Sequence, residues 1–348
     1  MRGILKQLPS RIRKDCAVTL SVIIPLHNGG NEFRLCLAAL EASSLCPDEV
    51  VVADDASTDG SGDLAHQFGA EVLSLEGPAH GPAFARNRGA EKARGDILVF
   101  LDADVAIHAD ALARMERCLS ENQGIAAVFG SYDSEPRASG LVSRYKNLLH
   151  HYVHQHSRQE ASTFWGACGA IRREAFAAVG GFDEGYARPK IEDIEFGVRL
   201  RRAGHRVWLC PDVQVTHLKR WTFASLLRVD IFDRAIPWTR LIFRDTHLPS
   251  ELNLSVRSRL SAIAAWSVLL FLVLALLWPW AVLGTLLSVT AVVALNADLY
   301  LFFQHHGGFA FAAGATGLHL LYLLYSSLVF GLVAVQTVLA RTWARLRE

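Results

Sequence analysis

The stretch DILVFLDADVAIH, residues 96–108, contains the pattern that decides the fold. Its apolar run, residues 97–101, is long enough for a buried strand and leads directly into Asp102 and Asp104. A carboxylate in the middle of a buried strand would lose its hydration at high cost, whereas one at the strand's end can stay hydrated or bind a cation. The stretch therefore predicts a buried strand that ends at a polar rim.

Apolar runs alternate with helical patterns from residue 19 to this stretch. The predicted strands are TLSVIIPL (19–26), EVVVADD (49–55), AEVLSL (70–75) and DILVFLD (96–102), and the predicted helices between them are 31–43, 62–68 and 83–92. Such alternation implies right-handed crossovers and a parallel sheet with helices on both faces. In sheets of this kind, ligands bind at the carboxyl ends of the strands. Asp54 and Asp55 end a second strand, and Pro25 ends the first, so we expect all three at the same crevice.

Strand and helix patterns alternate less regularly between residues 125 and 217. The predicted strands there are IAAVFGSY (125–132) and HRVWLCPDVQVTH (205–217), and the predicted helices are RREAFAAVGGF (172–182) and EDIEFGVRLRRAG (192–204). Gly204 ends the last of these helices, as a glycine commonly does. This region predicts a continuation of the α/β domain.

The C-terminal part of the chain differs sharply in composition. The whole sequence is 51% hydrophobic, yet between residues 261 and 340 the only formally charged side chain is Asp298. We predict three membrane spans, at about 260–278, 281–302 and 311–339, because each provides the ~20 apolar residues that a bilayer requires. The basic C-terminal tail favours the cytoplasmic side of the membrane. An odd number of spans would put the tail on the side opposite the catalytic domain, so the number of spans and the side of the C-terminus stay open.

These patterns divide the chain into five predicted regions. They are a basic N-terminal segment (1–18), a catalytic domain (19–220), amphipathic interfacial helices rich in basic and aromatic residues (221–259), transmembrane helices (260–340) and a basic tail (341–348). The interfacial region directly precedes a predicted span, so we expect its basic and aromatic residues to contact a membrane surface and not nucleic acid.

Charge and cysteine content narrow the function classes. The formal net charge of +1 indicates no particular partner, and the sequence leaves the oligomeric state open. The six cysteines include no CxxC pair, which predicts reduced thiols in the cytosol instead of a zinc site or a disulfide framework. The first apolar run is too short for the core of a signal peptide.

The residue chemistry points to a cation and a phosphorylated ligand. Asp102 and Asp104 can together engage Mg²⁺ or Mn²⁺, whose other positions are filled by phosphate oxygens. His217 follows a predicted strand and is a candidate third ligand through a ring nitrogen. A carboxylate such as Asp54 at the rim can accept hydrogen bonds from a ribose or a base, and Arg86 is a candidate contact to a nucleobase or pyrophosphate.

Five segments together resemble the family 2, GT-A-fold inverting glycosyltransferases. They are SVIIPLHN, VVADDASTDGS, ARNRGAEKARGDILVFLDADV, WGACGAIRREAFAAVGGFDE and EDIEFGVRL, and they occur in the family's order over about residues 19–220. The resemblance implies an α/β fold of the GT-A type, Rossmann-like with a mostly parallel sheet and helices on both faces. An α-helical transmembrane region would follow it, as in membrane-attached members of the family.

The resemblance also implies a nucleotide-sugar donor and a role for each matching position. Asp54 would bind the base or ribose and Arg86 the base, while Asp102 and Asp104 would hold the metal and the donor diphosphate. Asp193, the second residue of the family's ED motif, would be the general base. Glu192, beside the base, is a second predicted catalytic residue. The further predicted site residues are Pro25, Asp55 and Arg220 at the donor, and Trp165, Gly166 and Trp221 at the acceptor.

The sequence thus predicts an inverting glycosyltransferase in the inner membrane, multi-pass, with its catalytic domain on the cytoplasmic side. It would move one sugar, with UDP-sugar the favoured donor, to a hydroxyl of a lipid or lipid-linked glycan. His217 and Arg220–Trp221 have the spacing of the Q-x-x-R-W element of polymer-forming members, but histidine replaces glutamine, which favours single transfer.

The alternatives are a polyprenyl phosphate acceptor and a non-catalytic nucleotide-sugar-binding membrane module. A haloacid-dehalogenase-like phosphatase fits poorly, because its D-x-D lies near the N-terminus and Ala106 stands where that class has Thr or Val.

Overall fold

A computed structural model describes residues 18–244 and 256–345 of the 348-residue chain. Nearly all of the predicted basic N-terminal segment lies outside the described residues. The same holds for residues 245–255 of the predicted interfacial region and for the last three residues of the predicted tail.

The secondary structure follows the sequence patterns closely. The strands are β1 (Leu20–Leu26), β2 (Glu49–Asp54), β3 (Glu71–Ser74), β4 (Ile97–Leu101), β5 (Val105–Ile107), β6 (Ala127–Tyr132), β7 (Glu160–Ala161), β8 (Cys168–Arg172) and β9 (Val207–His217). The helices are α1 (Gly30–Glu41), α2 (Ser61–Phe68), α3 (Pro82–Lys92), α4 (Ala111–Glu121), α5 (Leu141–Gln155), α6 (Arg173–Ala178), α7 (Glu192–Arg202), α8 (Phe223–Arg228), α9 (Ile236–Arg244), α10 (Val256–Leu274), α11 (Ala281–Leu295) and α12 (Ala297–Arg345). A π-helical segment, Val229–Ala235, joins α8 to α9.

The strands form one mixed sheet in the order β3-β2-β1-β4-β8-β6-β9-β5, with β7 added beside β9. The first four strands in that order are all parallel, as the alternation of strands and helices predicts. Beyond β4 the pairing becomes antiparallel at β4–β8, β6–β8 and β5–β9, while β6 and β9 are parallel. β4 is buried along its whole length, as its uncharged sequence requires. The predicted α/β class is confirmed.

The chain divides into two compact units. The described residues of the first unit are 18–138 and 154–220, which contain the whole sheet. Those of the second unit are 139–153, 221–244 and 256–345. The sequence predicts one continuous catalytic domain over 19–220, but residues 139–153 cluster with the second unit. Nothing in the local sequence pattern of these residues marks them as part of a different unit.

The second unit is helical and has its own core. Tyr145, Leu148 and Phe303 are among the buried residues that pack together there. The same unit buries an ion pair, in which Nζ of Lys146 lies 2.5 Å from a carboxylate oxygen of Asp230. The hydroxyl of Tyr325 donates to the other oxygen of Asp230 at 2.7 Å. Pairing of this kind offsets the loss of hydration that each buried charge suffers.

Two described helices of this unit, Val256–Leu274 and Ala297–Trp343 within α12, are long and apolar enough to cross a membrane. The apolar helix α11 is shorter. The single span predicted at 281–302 is interrupted, because α11 ends at Leu295 and α12 begins at Ala297. Gly308, with φ of 74°, breaks the helical backbone inside α12. Many large apolar side chains on the three helices are exposed, among them Leu270, Leu272, Leu287, Leu301 and Val335.

Candidate functional site

The Asp102–Asp104 turn is fixed by strands on both sides. β4 ends at Leu101, and the backbone N–H of Asp102 donates to the carbonyl of Ala167, which precedes β8, at 3.1 Å. β5 begins directly after Asp104 and pairs with β9 so that Val105 lies opposite His217. These pairings place both carboxylates at the end of a central strand, where the sequence predicts them.

Arg86, on α3, joins this turn to the start of α7. Its guanidinium is buried, lies 2.6 Å from Oδ1 of Asp102 and 3.0 Å from Oε1 of Glu192, and also faces the ring of Phe182. Burial alone would lower the pKa of Arg86, but the negative charges of Asp102 and Glu192 outweigh it and raise that pKa, so the side chain stays protonated. The guanidinium therefore already has two carboxylate partners, whereas the sequence predicts a contact to the nucleobase.

The first two residues of α7 have different environments. Glu192 is buried against Arg86, and its second carboxylate oxygen accepts the backbone N–H of Lys190 at 2.8 Å. Asp193 is partly exposed and accepts the backbone N–H groups of Gly166 at 3.1 Å and Ile194 at 2.8 Å. The contacts of Glu192 are those of a positioning residue, and those of Asp193 leave a partly exposed carboxylate in a fixed orientation.

Gly166 lies in close contact with Arg86 and binds Asp193 through its backbone. A Cβ at this position would lie 3.0 Å from Cζ of Arg86, so a side chain would press on the guanidinium. The predicted acceptor role of Gly166 stays a prediction. Its observed contribution is to leave room for Arg86 and to donate its N–H to Asp193.

Asp104 faces His217, the last residue of β9. Nε2 of His217 lies 3.7 Å from Oδ2 of Asp104. Burial raises the pKa of Asp104, but the nearby His217 ring and the charge of Lys219 outweigh it, so the net pKa is lowered. The ring of Tyr132 stacks on that of His217 at 4.5 Å between centroids and meets the ring of Trp165 edge to face at 4.8 Å. The predicted acceptor residue Trp165 therefore lies in an aromatic group that supports His217.

Tyr132 is a residue of this site that the sequence interpretation missed. It is the last residue of β6, and β6 pairs with β9 so that Tyr132 lies opposite Val215. The available signal was an aromatic residue at a strand end, which is common in folded proteins and points to no particular chemistry.

The side chains at the Asp102–Asp104 turn offer ligand atoms that suit a divalent cation. Asp102 and Asp104 supply carboxylate oxygens and their side chains are about a third exposed, at 31% and 36%, while His217 supplies a ring nitrogen. Within residues 18–244 and 256–345, no group of three or more His, Cys, Asp or Glu side chains is arranged to hold a metal by itself. Mg²⁺ is commonly bound by one or two carboxylates together with substrate phosphates, which is the kind of site these residues can form.

The predicted donor residues on β1 and β2 have separate environments. Pro25 lies in β1 and pairs with Ala53. Asp54 is partly buried and accepts the backbone N–H of Ser57 at 3.0 Å, so it orders the turn that follows β2.

Asp55 is buried, at 2% exposure, and its carboxylate accepts the backbone N–H groups of His80 and Gly81 at 2.8 and 2.7 Å. Its carboxylate therefore connects the end of β2 to the start of α3. This structural role competes with the donor contact that the sequence predicts for Asp55.

The two remaining predicted contacts lie where the two units join in sequence. Arg220 is exposed at the end of the first unit. Trp221 belongs to the second unit, where it is buried and its backbone N–H donates to the hydroxyl of Ser143 at 2.8 Å. Their roles toward donor and acceptor stay predictions.

Known families and structures resemble this chain. Residues 21–180 match the family described as "Glycosyl transferase family 2", and residues 146–221 match "N-terminal domain of galactosyltransferase". The chain is 26% identical over 227 residues to "Glycosyltransferase GlyA" of Streptococcus pneumoniae, a match that covers 63% of this chain and 32% of that protein. It is 29% identical to "Succinoglycan biosynthesis protein ExoA" of Rhizobium meliloti, over 57% of this chain and 63% of that protein. The chain thus spans less than two thirds of the length of either relative.

Among solved structures, the fold resembles that of the mannosyltransferase PcManGT from Pyrobaculum calidifontis, in complex with GDP-Man and Mn²⁺. The TM-score is 0.55 with 21% sequence identity, and the likeness covers 86% of both chains. The GT-A fold that the sequence predicts is therefore confirmed. Residues 21–180, close to half of the chain, match the family 2 glycosyltransferase domain that the sequence resembles.

We expect Arg86→Gln to destabilise the protein by about 3–5 kcal/mol, because it leaves the buried carboxylate of Glu192 without its cation. Arg88→Gln is the matched control on the same helix. Arg88 forms partly exposed ion pairs with Glu91 and Glu184, and their loss should cost less than about 1 kcal/mol. Thermal unfolding of the purified variants measures both effects, and equal losses would contradict the bridging role of Arg86.

Proposed function

We propose that the protein is a membrane-attached inverting glycosyltransferase that moves one sugar from a nucleoside diphosphate sugar to a hydroxyl acceptor. The donor we favour is a UDP-sugar, and the acceptor is a lipid or a lipid-linked glycan. The observation that carries this proposal is the connection through Arg86 between the Asp102–Asp104 turn and the start of α7. Through this connection, the candidate diphosphate-binding carboxylates and the candidate base Asp193 belong to one site.

On the donor side, Asp102, Asp104 and His217 would hold Mg²⁺ or Mn²⁺. A divalent cation bound there would neutralise the charge that develops on the departing diphosphate. The complex of the Pyrobaculum mannosyltransferase with GDP-Man and Mn²⁺ supports the binding of a nucleotide sugar together with a divalent metal here. Arg86 contributes a fixed positive charge that orients Asp102.

On the acceptor side, Asp193 would act as the general base. A sugar or lipid hydroxyl is a poor nucleophile, and a carboxylate within hydrogen-bond reach can take its proton as the oxygen attacks. The new bond joins the acceptor oxygen to the anomeric carbon, the bond from that carbon to the diphosphate oxygen breaks, and the proton goes to Asp193. Attack opposite the leaving group inverts the anomeric centre.

The same base favours a hydroxyl over a lipid phosphate as the acceptor. A polyprenyl phosphate is already anionic near neutral pH and needs no deprotonation. The negative charge of Asp193 would repel it.

The second unit supports attachment to a membrane. The helices Val256–Leu274 and Ala297–Trp343 combine sufficient length with large exposed apolar side chains. The hydrocarbon core of a bilayer is the environment that such surfaces match. We place the protein in the inner membrane as a multi-pass protein, with its catalytic domain in the cytoplasm. The match to a succinoglycan biosynthesis protein supports a role in making cell-envelope glycans.

We expect Asp102→Asn and Asp104→Asn each to weaken Mn²⁺ binding at least about tenfold, because each removes a charged ligand. The measurement is the electron paramagnetic resonance signal of free Mn²⁺, titrated in the presence of UDP. Asp110→Asn is the control, since Asp110 lies on the surface paired with Arg114. Unchanged Mn²⁺ affinity in both site variants would disprove the predicted metal site.

We expect Asp193→Asn to lower the transfer rate by about 10²–10⁴ while donor binding is retained, because only the proton acceptor is lost. Glu195→Gln is the control on the same helix, where Glu195 pairs with Arg199. The assay measures nucleoside diphosphate release from a panel of nucleotide sugars, with Mn²⁺ and a native lipid extract. If the wild type binds donor but no donor is consumed, the non-catalytic binding module replaces this proposal. If only polyprenyl phosphate is glycosylated, the acceptor class is wrong.

We expect the protein to stay in the membrane pellet after washing with alkaline carbonate and to be released by detergent. Such washing removes proteins held only by charge, whereas apolar helices within the bilayer resist it. Immunoblotting of the pellet and supernatant provides the measurement. Recovery in the carbonate supernatant would rule out the membrane-spanning helices.

A further inference from the structure

Two cysteines outside the candidate site lie against each other. Cys118 is on α4 and Cys210 is on β9, and their Sγ atoms are 3.4 Å apart. Both residues are partly exposed, so a small reagent can reach the pair from solvent. Neither residue contributes to the donor or acceptor contacts described above.

Cys210 begins an irregular part of β9. Leu209 pairs with Phe129 of β6, and the next pair is Gln214 with Ser131, so four residues of β9 lie opposite one residue of β6. That residue is Gly130, where a Cβ would come within 2.3 Å of the carbonyl oxygen of Val213. The chain therefore bulges over residues 210–213, which we call the β9 bulge. Beyond it, β9 continues to His217, the candidate metal ligand.

The chemistry of these thiols differs from that of the cysteines in the core. Cys36 and Cys168 are fully buried, and burial raises the pKa of both thiols, which makes them unreactive. The hydrogen bond from Cys210 lowers the pKa of Cys118 to about 7. The thiolate is the form that reacts with oxidants, so this hydrogen bond favours Cys118 as the attacking member of the pair.

We propose that Cys118 and Cys210 are a redox-active thiol pair that a peroxide oxidises to an intrachain disulfide, which ties α4 to the β9 bulge. The Cys118 thiolate attacks hydrogen peroxide, the O–O bond breaks, and the products are a sulfenic acid and hydroxide. The Cys210 thiol then attacks the sulfenic sulfur and releases water. In total, two thiols are oxidised by two electrons, and one peroxide is reduced to two waters.

The geometry allows this reaction with a small local movement. A disulfide requires the sulfur atoms to approach to about 2.05 Å. One of the two sulfurs is attached to a bulge, whose residues lack regular pairing with β6 and so can shift more easily than a paired strand. A dithiol reduces this disulfide back to two thiols through thiol–disulfide exchange.

Peptide mapping of the full chain tests the proposal. Trypsin places the two cysteines on separate peptides, residues 118–137 and 207–219, each with a single cysteine. After treatment with hydrogen peroxide and blocking of free thiols, we expect these two peptides to be linked and to separate again with dithiothreitol. The link should be absent from Cys118→Ser and from Cys210→Ser. It should persist in Cys46→Ser, a control that removes another partly exposed thiol.

Hydrogen exchange tests whether the disulfide constrains the β9 bulge. We expect the backbone amides of Asp212 and Val213 to exchange more slowly in the oxidised protein than in the reduced protein, with no change in Cys118→Ser. The samples are reduced after quenching, so that the same peptides are compared. Unlinked peptides after peroxide treatment, or a link with unchanged exchange at the bulge, would overturn the proposal. Neither measurement depends on glycosyl transfer.

Discussion

The first unit depends on the ion pairs of one buried cation, Arg86. Three segments far apart in sequence meet at its guanidinium: helix α3, the turn at Asp102 and the start of α7 at Glu192. A buried charge is tolerated only when it is paired and hydrogen-bonded, so each partner is held where the other needs it. The positions of Asp102 and of Asp193, which follows Glu192, are thereby coupled. In the proposed reaction, these two residues act on opposite sides of the bond that breaks.

The mixed half of the sheet completes the site. The parallel strands β3, β2, β1 and β4 have their carboxyl ends at one edge, where β2 and β4 lead into aspartates. The antiparallel pairing of β5 with β9 then returns the chain to that edge and sets His217 beside Asp104. Tyr132 reaches the same place from β6 and stacks on the histidine. The candidate metal site thus combines residues from two different patterns of strand pairing.

The second unit combines two unlike environments. Its apolar helices leave large side chains such as Leu287 and Leu301 exposed. Contact of so much apolar surface with water is unfavourable. Its interior contains the paired charges of Lys146 and Asp230, with Tyr325 as a further hydrogen-bond donor. A charge pair in such a core gives weak net stabilisation but costs much when one partner is removed. It therefore restricts how the helices of this unit can pack.

The sequence by itself determined the local structure and the class of chemistry. The predicted strand at 19–26 and helix at 192–204 differ by few residues from β1 and α7, because hydrophobic periodicity and glycine ends are properties of neighbouring residues. The placement of Asp102 and Asp104 after a buried strand followed from the same short-range pattern.

Only the tertiary structure decided which polar residues meet. Asp54 and Asp55 are adjacent and chemically alike, yet one orders a turn while the other is buried against the start of α3. Arg86 appeared in sequence as a candidate nucleobase contact, but its partners lie 16 and 106 residues away. The helix around residues 139–153 likewise carries no local sign that it belongs to the second unit. Contacts between distant segments depend on the order of strands in the sheet, and periodicity within a short window contains no information about that order.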